Sequence, residues 1–366
     1  MSHLIIPGSP SQSRRSLRMI RVAFAPDFRD VVPYEHLLAD ALSKLGIKID
    51  FLKGYRRVLP LYRALGGVSV DILHLHFPQY YLIKGDQFDL WRKLRFCPEL
   101  YLTTRNLRVV YTVHDLYPLN YPDDFLTRVA TRYLFSQCST VLVHAAAAKE
   151  RVIKEFRVSP EKCIVIPHGD MSVSYGLPTS REKARAQLGL GPEKVCLAFG
   201  TIAPNKAIEE IIDFWKAERP AATLAIVGRS LDPAYTRELS KLAADSGNVV
   251  LKPHFQSDEQ VNFWFSAADC AIINYRKIFT SGVACLARSL GLPLLLPARL
   301  TTVDLQEPHR LVYRFDSMKT DFAEKLERAI QQKSDYAAAE EWRRATAWEV
   351  VAARTREAYE IAMRQA

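Results

Sequence analysis

Short apolar runs alternate with amphipathic helical patterns along almost the whole chain. Runs of this kind are typical of strands that are buried on both faces of a parallel sheet. They lie at residues 20–25, 47–52, 70–75, 109–113, 140–144, 163–166, 195–199, 223–227, 249–251, 270–273 and 293–296. Because helical patterns separate most of these runs, the sequence predicts an α/β fold in which parallel sheets carry helices on both faces.

The alternation runs through two rounds, which predicts two Rossmann-like domains in tandem. A chain of 366 residues can form two hydrophobic cores. The pattern breaks at the PHGD motif (167–170), and we interpret the polar stretch at 171–182 as the linker. A single final helix is predicted from about residue 342 to 366. The predicted boundaries are a disordered tail at 1–18, a first domain at 19–170, a second domain at 171–345 and a helix that leaves the second domain at 346–366.

The positive charge is concentrated in the first half of the chain. The formal net charge is +10, and residues 1–175 carry 24 Lys and Arg against 16 Asp and Glu. Such a half suits nucleic acid, an anionic membrane surface or a polyanionic substrate. Because no helix-turn-helix, zinc-finger or RNA-binding signature is present, nucleic acid is disfavoured. The basic segment KGYRRVLPLYR (53–63) is either a membrane-docking segment or an ordinary solvated face.

Targeting, disulfide and metal signals are missing from the sequence. No apolar run reaches the roughly 18 residues that span a bilayer, and the N-terminal apolar patch is too short for a signal peptide. We therefore expect a cytoplasmic protein, with peripheral contact at the inner face of the plasma membrane as an option. The six cysteines are scattered, and the histidines lack metal-site spacing. We expect no metal and no cofactor.

Three loops of the second half have the chemistry of phosphate sites. Each follows a predicted strand and precedes a helix, where unpaired N–H groups and the helix dipole favour an anion. The first contains Gly200 and Lys206, the second Gly228 and Arg229, and the third Arg276 or Lys277 together with Ser281 and Gly282. Ser281 can also cap the following helix. Each loop alone could be an ordinary helix cap, but three in one sheet predict a diphosphate ligand.

Polar residues of the first half also gather after strand ends. His114 and Asp115 form the better site candidate, because His74 and His76 could equally be satisfied residues within a strand. Such histidines can hydrogen-bond sugar hydroxyls or act as a base. The carboxylates of Asp27, Asp30 and Glu35 in the first loop are further candidate bases, and the sequence leaves the choice open.

These motifs, in this order, resemble those of the GT-B glycosyltransferases, which transfer a sugar from a nucleotide donor in the cleft between two Rossmann-like domains. The resemblance covers about residues 20–359. Its carriers are VHD (113–115), PHG (167–169), FGTIAPNKA (199–207), IVGRS (226–230) and YRKIFTSGVACLARSLGLPLLLP (275–297). Together with LHLHFPQY (73–80), the set resembles in particular the bacterial exopolysaccharide glycosyltransferases, which include β-mannosyltransferases that extend lipid-linked repeat units.

The resemblance implies roles for residues that their spacing alone does not assign. His114 would contact the donor sugar, and the final helix would cross back to the first domain. His74, His76 and Tyr34 would lie in the acceptor site, and Asp115, His114 and Glu35 would be the catalytic candidates. The donor-binding residues would be Gly200, Thr201, Lys206, Gly228, Arg229, His254, Phe255, Tyr275, Arg276, Thr280, Ser281 and Gly282.

The chain departs from the common retaining GT-B pattern at two places. That pattern has a basic residue after the first-loop glycine, where this chain has Thr201. It also has two glutamates around the donor sugar, and the corresponding positions here are Ile278 and Leu286. An inverting transfer is therefore at least as well supported, and it requires a general base, for which Asp115 is favoured over Glu35 and Asp27.

The sequence thus predicts a metal-independent hexosyltransferase that uses a UDP- or GDP-linked sugar. The expected acceptor is a lipid-linked glycan in exopolysaccharide or cell-surface polysaccharide synthesis. Two other functions remain open at this point: a nucleotide-sugar epimerase of the same architecture, and a catalytically degenerate nucleotide-binding subunit.

Overall fold

The computed structural model describes residues 19–53, 58–119, 121, 124–302, 305 and 309–364. Within them the chain forms two six-stranded sheets in which every strand pair is parallel. Helices connect the strands throughout. The predicted α/β architecture with two Rossmann-like units is confirmed. The predicted tail at 1–18 and residues 54–57 of the basic segment (53–63) lie outside the described residues.

The first unit has the strand order β2-β1-β3-β4-β5-β6. Its strands are β1 (Arg21–Ala25), β2 (Lys48–Phe51), β3 (Ile72–Leu75), β4 (Arg108–Thr112), β5 (Thr140–Val143) and β6 (Cys163–Val165). Its helices are α1 (Tyr34–Lys44), α2 (Pro60–Leu65), α3 (Gln79–Leu82), α4 (Asp89–Thr104), α5 (Phe125–Gln137) and α6 (Ala146–Phe156). The central strands β3 and β5 are fully buried, which explains their continuous apolar sequences.

The second unit has the strand order β12-β11-β10-β7-β8-β9. Its strands are β7 (Lys194–Phe199), β8 (Ala222–Val227), β9 (Val249–Lys252), β10 (Cys270–Ile272), β11 (Leu294–Pro297) and β12 (Val312–Phe315). The helices from here to the end are α7 (Ser172–Tyr175), α8 (Arg181–Leu188), α9 (Ile208–Glu218), α10 (Pro233–Ala244), α11 (Asp258–Ala267), α12 (Gly282–Ser289), α13 (Phe322–Gln331), α14 (Tyr336–Ala345) and α15 (Trp348–Arg364). The order reverses between β7 and β10, and ligands of open α/β sheets bind at such a switch point.

Several elements of the structure differ from the sequence-based expectation. The polar stretch interpreted as a linker contains the short helix α7 and the start of α8. Strand β12 and helix α13 were not predicted, because β12 is a half-buried edge strand whose pattern is less apolar than that of a central strand. The single helix predicted from about 342 is two helices, α14 and α15, which are separated near Thr346.

Helix α15 crosses back to the first unit, as the fold resemblance implied. It packs against α1, β4 and β5. The indole Nε1 of Trp348 donates to the Asp170 carbonyl oxygen at 2.9 Å, and the hydroxyl of Tyr359 is 2.7 Å from Nδ1 of His74. One continuous apolar cluster contains Tyr34 of the first unit, Leu286 of the second and Trp348. The two units therefore share a core.

The close contact between Gly169 and Trp348 gives a test of this packing. Gly169 has φ +101°, and a Cβ there would lie 2.6 Å from the indole ring. We expect Gly169→Ala to lower the free energy of unfolding by about 3 kcal/mol, through strain and overpacking together. Gly189→Ala is the matched control, because Gly189 has φ +65° with open space around it, and should cost only about 1 kcal/mol. Denaturant unfolding of both variants measures the difference, and equal losses would contradict the packing argument.

Candidate functional site

The first and third predicted phosphate loops lie side by side at the switch point of the second sheet. Strand β7 leads into Gly200 and the short 3₁₀ helix Pro204–Lys206, and β10 leads into the loop before α12. Arg276 N donates to the Asn205 carbonyl oxygen at 2.8 Å, which ties the two loops together. One end of the second sheet therefore brings together the carboxyl ends of β7 and β10 and the start of α12.

Gly200 and Gly228 are required by the close approach of the first two loops. Gly228 has φ +145°, and a Cβ there would come within 2.1 Å of the Gly200 carbonyl oxygen. Gly200 has φ +110°, a conformation that favours glycine. Ile202 N donates to the Arg229 carbonyl oxygen at 2.8 Å across the same junction. The spacing of these glycines therefore reflects backbone packing at the candidate site.

Lys206 places a cation over this glycine pair. Its Nζ donates to the Tyr275 hydroxyl at 2.6 Å, and a Cβ on Gly200 would lie 2.9 Å from Nζ. Among the described residues no carboxylate forms a salt bridge with Lys206. Tyr275 itself is 5% exposed, so it fixes the ammonium from the protein side. An unneutralised ammonium beside close-packed glycines is suited to a phosphate oxygen.

Ser281 caps helix α12, as its sequence position predicted. Its Oγ accepts from Ala284 N at 3.2 Å, and Gly282 is the first residue of the helix. Thr280 precedes the cap and is half-buried. The positive end of α12 consequently points to the same edge as Lys206.

Arg276 is engaged differently from what the sequence suggested. Its guanidinium pairs with the carboxylates of Glu209 and Glu210 on α9, and it also donates to the Pro204 carbonyl oxygen. The hydrogen bond to Glu209 raises the pKa of Arg276. Two carboxylates neutralise this cation, so Arg276 braces the two loops and does not present a free charge for a diphosphate.

Four neighbouring strands of the first sheet each end in a histidine. His76 follows β3, His114 follows β4, His144 follows β5 and His168 follows β6. Successive ring centroids in this row are 5.7, 5.6 and 5.0 Å apart, which is close to the spacing of the strands that carry them. All four are at most 9% exposed, and burial lowers the pKa of each imidazole. The row therefore consists of neutral rings.

The histidine row leaves several polar atoms without partners. Nε2 of His76, Nε2 of His144 and Nδ1 of His168 have no hydrogen-bond partner among the described residues. The hydroxyl of Tyr34, whose ring contacts all four imidazoles, also has none there. A buried polar atom without a partner costs about 1–3 kcal/mol. Such a cluster suits a ligand with many hydroxyl groups.

His74 does not belong to this set. It is fully buried within β3, and its ring nitrogens lie 2.7 Å from the hydroxyls of Tyr359 and Thr112. Both ring nitrogens are therefore occupied within the described structure, which does not favour the acceptor-binding role implied by the resemblance; that role stays a prediction. These contacts match the alternative that the sequence left open, in which His74 is a strand residue whose ring nitrogens are both hydrogen-bonded.

Asp115 faces the second unit from the end of β4. The backbone N–H of Phe279, in the loop before α12, approaches its carboxylate, and Lys206 contributes a favourable charge. Oδ1 has no hydrogen-bond partner among the described residues. Burial outweighs both favourable contacts and raises the pKa of Asp115 to about 8. The carboxyl thus joins the two sheet edges and is poised to exchange a proton near neutral pH.

The two rival bases have different surroundings. Asp27 pairs with Arg29 at 2.9 Å and with Lys53 at 3.8 Å, and the hydrogen bond from Arg29 leads the effects that lower its pKa. Such a carboxylate is a poor base. Glu35 is fully buried, its Oε2 accepts from Phe28 N at 3.1 Å, and burial raises its pKa to about 8. Glu35 therefore remains a rival on pKa, although the contact described for it lies within its own loop.

The remaining predicted donor residues lie on the exposed side of the second sheet edge. Thr201, Arg229 and His254 are exposed, and the ring of Phe255 is 75% exposed. None of them contacts Lys206 or Asp115 through a described hydrogen bond. Their roles stay predictions that follow from the resemblance.

A cavity of about 310 Å³ lies between the histidine row and helix α12. It is lined by residues of both units, among them His144, His168, Ser281, Thr302 and Arg354. Sequence reasoning missed His144, although it follows a strand just as His114 does, because the predicted strand included it. Thr302 and Arg354 carried no local signal and reach the cavity only through tertiary packing. No cluster able to hold a metal ion was found in the described part of the chain.

Comparisons with known proteins agree with this architecture. Residues 20–169 match the profile of Glycosyltransferase Family 4. Sucrose-phosphate synthase from Thermosynechococcus elongatus superposes with a TM-score of 0.71 at 17% identity, over 94% of this chain and 98% of that one. The chain has the GT-B glycosyltransferase fold. Alr3699/HepE of Anabaena, in complex with UDP and glucose, shares this fold with a TM-score of 0.66 at 15% identity, over 93% of this chain and 99% of that one.

The chain is also similar in sequence to a bacterial mannosyltransferase. GDP-mannose:glycolipid 4-beta-D-mannosyltransferase of Xanthomonas campestris pv. campestris is 25% identical over 231 residues. The match spans 62% of this chain and 61% of the relative. The resemblance to GT-B glycosyltransferases of the bacterial polysaccharide type, predicted from the sequence motifs, is confirmed.

The raised pKa of Glu35 predicts a pH-dependent stability. A buried carboxyl with a pKa of about 8 binds a proton in the folded state that the unfolded state releases near its ordinary pKa of 4.5. Its contribution is therefore complete at acidic pH and is lost as the pH rises through about 8. We expect Glu35→Gln to leave the melting temperature almost unchanged at acidic pH and to stabilise the fold by about 1 kcal/mol or more at alkaline pH. Thermal unfolding against pH measures this, with exposed Glu218→Gln as the control; a pH-independent effect of Glu35→Gln would contradict the assignment.

Proposed function

We propose that this GT-B protein transfers a hexose from a nucleoside-diphosphate sugar to a glycan acceptor. The observation that carries the proposal is the contact between the two sheet edges. There the carboxyl of Asp115, whose Oδ1 has no partner among the described residues, lies within electrostatic reach of the unneutralised ammonium of Lys206. A base and a cation at opposite sides of one cleft suit a substitution in which a hydroxyl attacks and a diphosphate leaves.

The second unit would hold the diphosphate of the donor. Lys206 and the N-terminus of α12 offer a cation and unpaired amides at the same edge. As the bond between the sugar and the diphosphate breaks, negative charge grows on the leaving oxygen, and these groups stabilise it. In this proposal a metal ion is not required for the leaving group.

The histidine row would hold the sugar. Its neutral rings and the Tyr34 hydroxyl provide donors and acceptors that lack partners among the described residues. Hexose hydroxyls pair with both kinds of group, and each pairing removes the cost of a buried unsatisfied atom. This supports His114 and His76 as sugar contacts and adds His144 and His168 to the set.

The reaction we propose inverts the anomeric carbon. The positions at which retaining relatives carry glutamates are Ile278 and Leu286, and Leu286 is 3% exposed among apolar neighbours. An inverting step needs a base on the opposite side of the sugar from the leaving group. Asp115 would take the proton of the acceptor hydroxyl as the oxygen attacks, and the donor diphosphate would depart with the bonding electron pair.

Mannose carried by GDP is the donor that we propose, and a lipid-linked glycan is the acceptor. The support is the printed activity of the Xanthomonas relative, which names GDP-mannose and a glycolipid. Because the match covers only 61% of that relative, and because a structural neighbour was solved with UDP and glucose, UDP-glucose is the second candidate. The proposed setting is the synthesis of exopolysaccharide or cell-surface polysaccharide in the cytoplasm.

A panel of GDP- and UDP-sugars tests the proposal directly. Purified protein is incubated with each donor, with and without a bacterial lipid extract, and nucleotide release and labelled lipid are followed. We expect release from GDP-mannose that depends on the acceptor, with an inverted product. Conversion of the donor without acceptor would instead identify an epimerase, and binding without any release would identify a nucleotide-binding subunit.

Lys206→Ala should weaken the binding of the nucleoside diphosphate about ten- to hundredfold, because a charge-assisted hydrogen bond is lost. Lys216→Ala is the matched control: Lys216 lies on α9 and pairs with Asp245 at 3.5 Å, away from the site. Calorimetric titration with GDP and UDP measures both variants. Equal affinities in the two variants would show that Lys206 does not bind the nucleoside diphosphate.

Asp115→Asn should lower the turnover number about a hundredfold or more, since the amide cannot accept a proton, while donor affinity stays within about threefold. Activity of the unchanged protein should rise with pH towards about 8, the pKa of Asp115. Glu35→Gln separates the rivals, and we expect it to retain most of the turnover. The reverse result, a lower turnover number in Glu35→Gln and an unchanged one in Asp115→Asn, would identify Glu35 as the general base.

A further inference from the structure

Helix α4 of the first unit carries its apolar residues on the outside. Every residue that is exposed in this helix is aliphatic, aromatic or proline: Leu90, Trp91, Leu94, Pro98, Tyr101 and Leu102. Their spacing places them on one helical face, and Leu90 and Leu94 are 61% and 57% exposed. A surface helix of a globular protein normally shows the opposite distribution.

The inward face of α4 combines charged groups with two core residues, Phe96 and Leu100. Arg92 pairs with Asp86 and Asp89, and Arg95 pairs with Glu99. Glu99 is fully buried and accepts from the backbone N–H of Leu61 at 2.8 Å. These pairs satisfy the buried charges but gain little stability over an apolar core. The exposed apolar residues of α4 are therefore additional to those that it buries in the core, and they serve something other than the core.

The neighbouring helices extend the same surface. Helix α5 packs against α4 and exposes Phe125 (77%) and Val129 (42%), and α2 exposes Tyr62 (52%). We call the exposed residues Tyr62, Phe88, Leu90, Trp91, Leu94, Tyr101, Leu102, Phe125 and Val129 the outer apolar face. A contiguous patch of this kind on a monomer marks a binding surface.

The charges around the outer apolar face are positive. Arg63 on α2, Arg105 at the end of α4 and Arg132 on α5 are exposed. The two carboxylates of these three helices are engaged: Glu99 is buried, and Asp89 accepts from Arg92 and from the backbone of Lys84 and Gly85. Asp124, the cap of α5, pairs with Lys93. The described part of this surface thus offers apolar groups and cations without an unpaired carboxylate.

We propose that the outer apolar face docks the protein on an anionic lipid bilayer. Aromatic and leucine side chains enter the boundary between headgroups and acyl chains, and arginines at the rim pair with phosphate groups. No helix in the described part of the chain is long and apolar enough to cross a membrane. The charge pattern favours a bilayer over a protein partner, since a protein interface usually supplies and receives both signs of charge.

This surface differs from the segment that the sequence suggested. Of the basic stretch at 53–63, Pro60 and Leu61 are buried, and Tyr62 and Arg63 form only the edge of the outer apolar face. The docking residues lie instead on α4 and α5. The proposal depends on this surface alone and holds whatever the donor or acceptor.

Vesicle co-sedimentation of the full chain tests the proposal without donor or acceptor. Vesicles of phosphatidylcholine are compared with vesicles that contain about one third phosphatidylglycerol, over a range of salt. We expect binding to the anionic vesicles that weakens with salt. The double variant Leu90→Ser/Leu94→Ser should reduce partitioning at least about tenfold. Arg105→Gln/Arg132→Gln should reduce it about twenty-five-fold on anionic vesicles only, at about fivefold per charge.

The matched control is Val173→Ser/Leu177→Ser in the segment between the two units. Its side chains are 59% and 64% exposed, nearly the same as Leu90 and Leu94. It should bind vesicles like the unchanged protein, and circular dichroism confirms that each variant is folded. Equal vesicle binding by the Leu90/Leu94 variant, or none by the unchanged protein, would overturn the proposal. A change of oligomeric state in that variant without vesicle binding would assign the face to a second copy of the chain. Nucleotide affinity, measured separately, should be unchanged, so failure here is distinct from failure of the proposed transfer.

Discussion

The return of helix α15 to the first unit is the contact on which the candidate site depends. Trp348 lies against the space left by Gly169 and donates to the Asp170 carbonyl oxygen, while Tyr359 bonds to His74 inside the first sheet. Because α15 follows α14 closely, this attachment holds the second unit against the first. The carboxyl ends of the two sheets meet as a result, and Asp115 comes within reach of Phe279 and Lys206.

Two regions of the molecule carry features that normally destabilise a folded protein. The histidine row keeps three ring nitrogens and the Tyr34 hydroxyl buried without a partner in the described structure. Helix α4 buries charges and exposes leucines. Natural proteins retain such unfavourable features where the binding of a ligand or of another surface offsets them. The first departure faces the cleft and supports sugar binding; the second lies on the outside of the same unit and supports membrane docking.

The fold was largely predictable because parallel strands leave a strong signal. Strands such as β3 and β8 are buried on both faces, so their sequences are continuous apolar runs that end at polar loops. Edge elements carry a weaker signal, which is why β12 was missed. The break between α14 and α15 was also missed, since the helical pattern continues through it and the bond from Trp348 to Asp170 forms only in the folded chain.

The sequence alone determined the two Rossmann-like units, the glycines at the loop junctions and the cap at Ser281, because each depends on residues close together in the chain. Only the tertiary structure decided which polar residues are available to a ligand. Lys206 and Arg276 look alike in sequence, but Glu209 and Glu210 neutralise Arg276 and leave Lys206 beside Tyr275. His74 and His76 are two residues apart in the chain. Tyr359, which lies 285 residues from His74, hydrogen-bonds to His74 and not to His76. Availability depends on partners that are distant in the chain, and no local pattern encodes them.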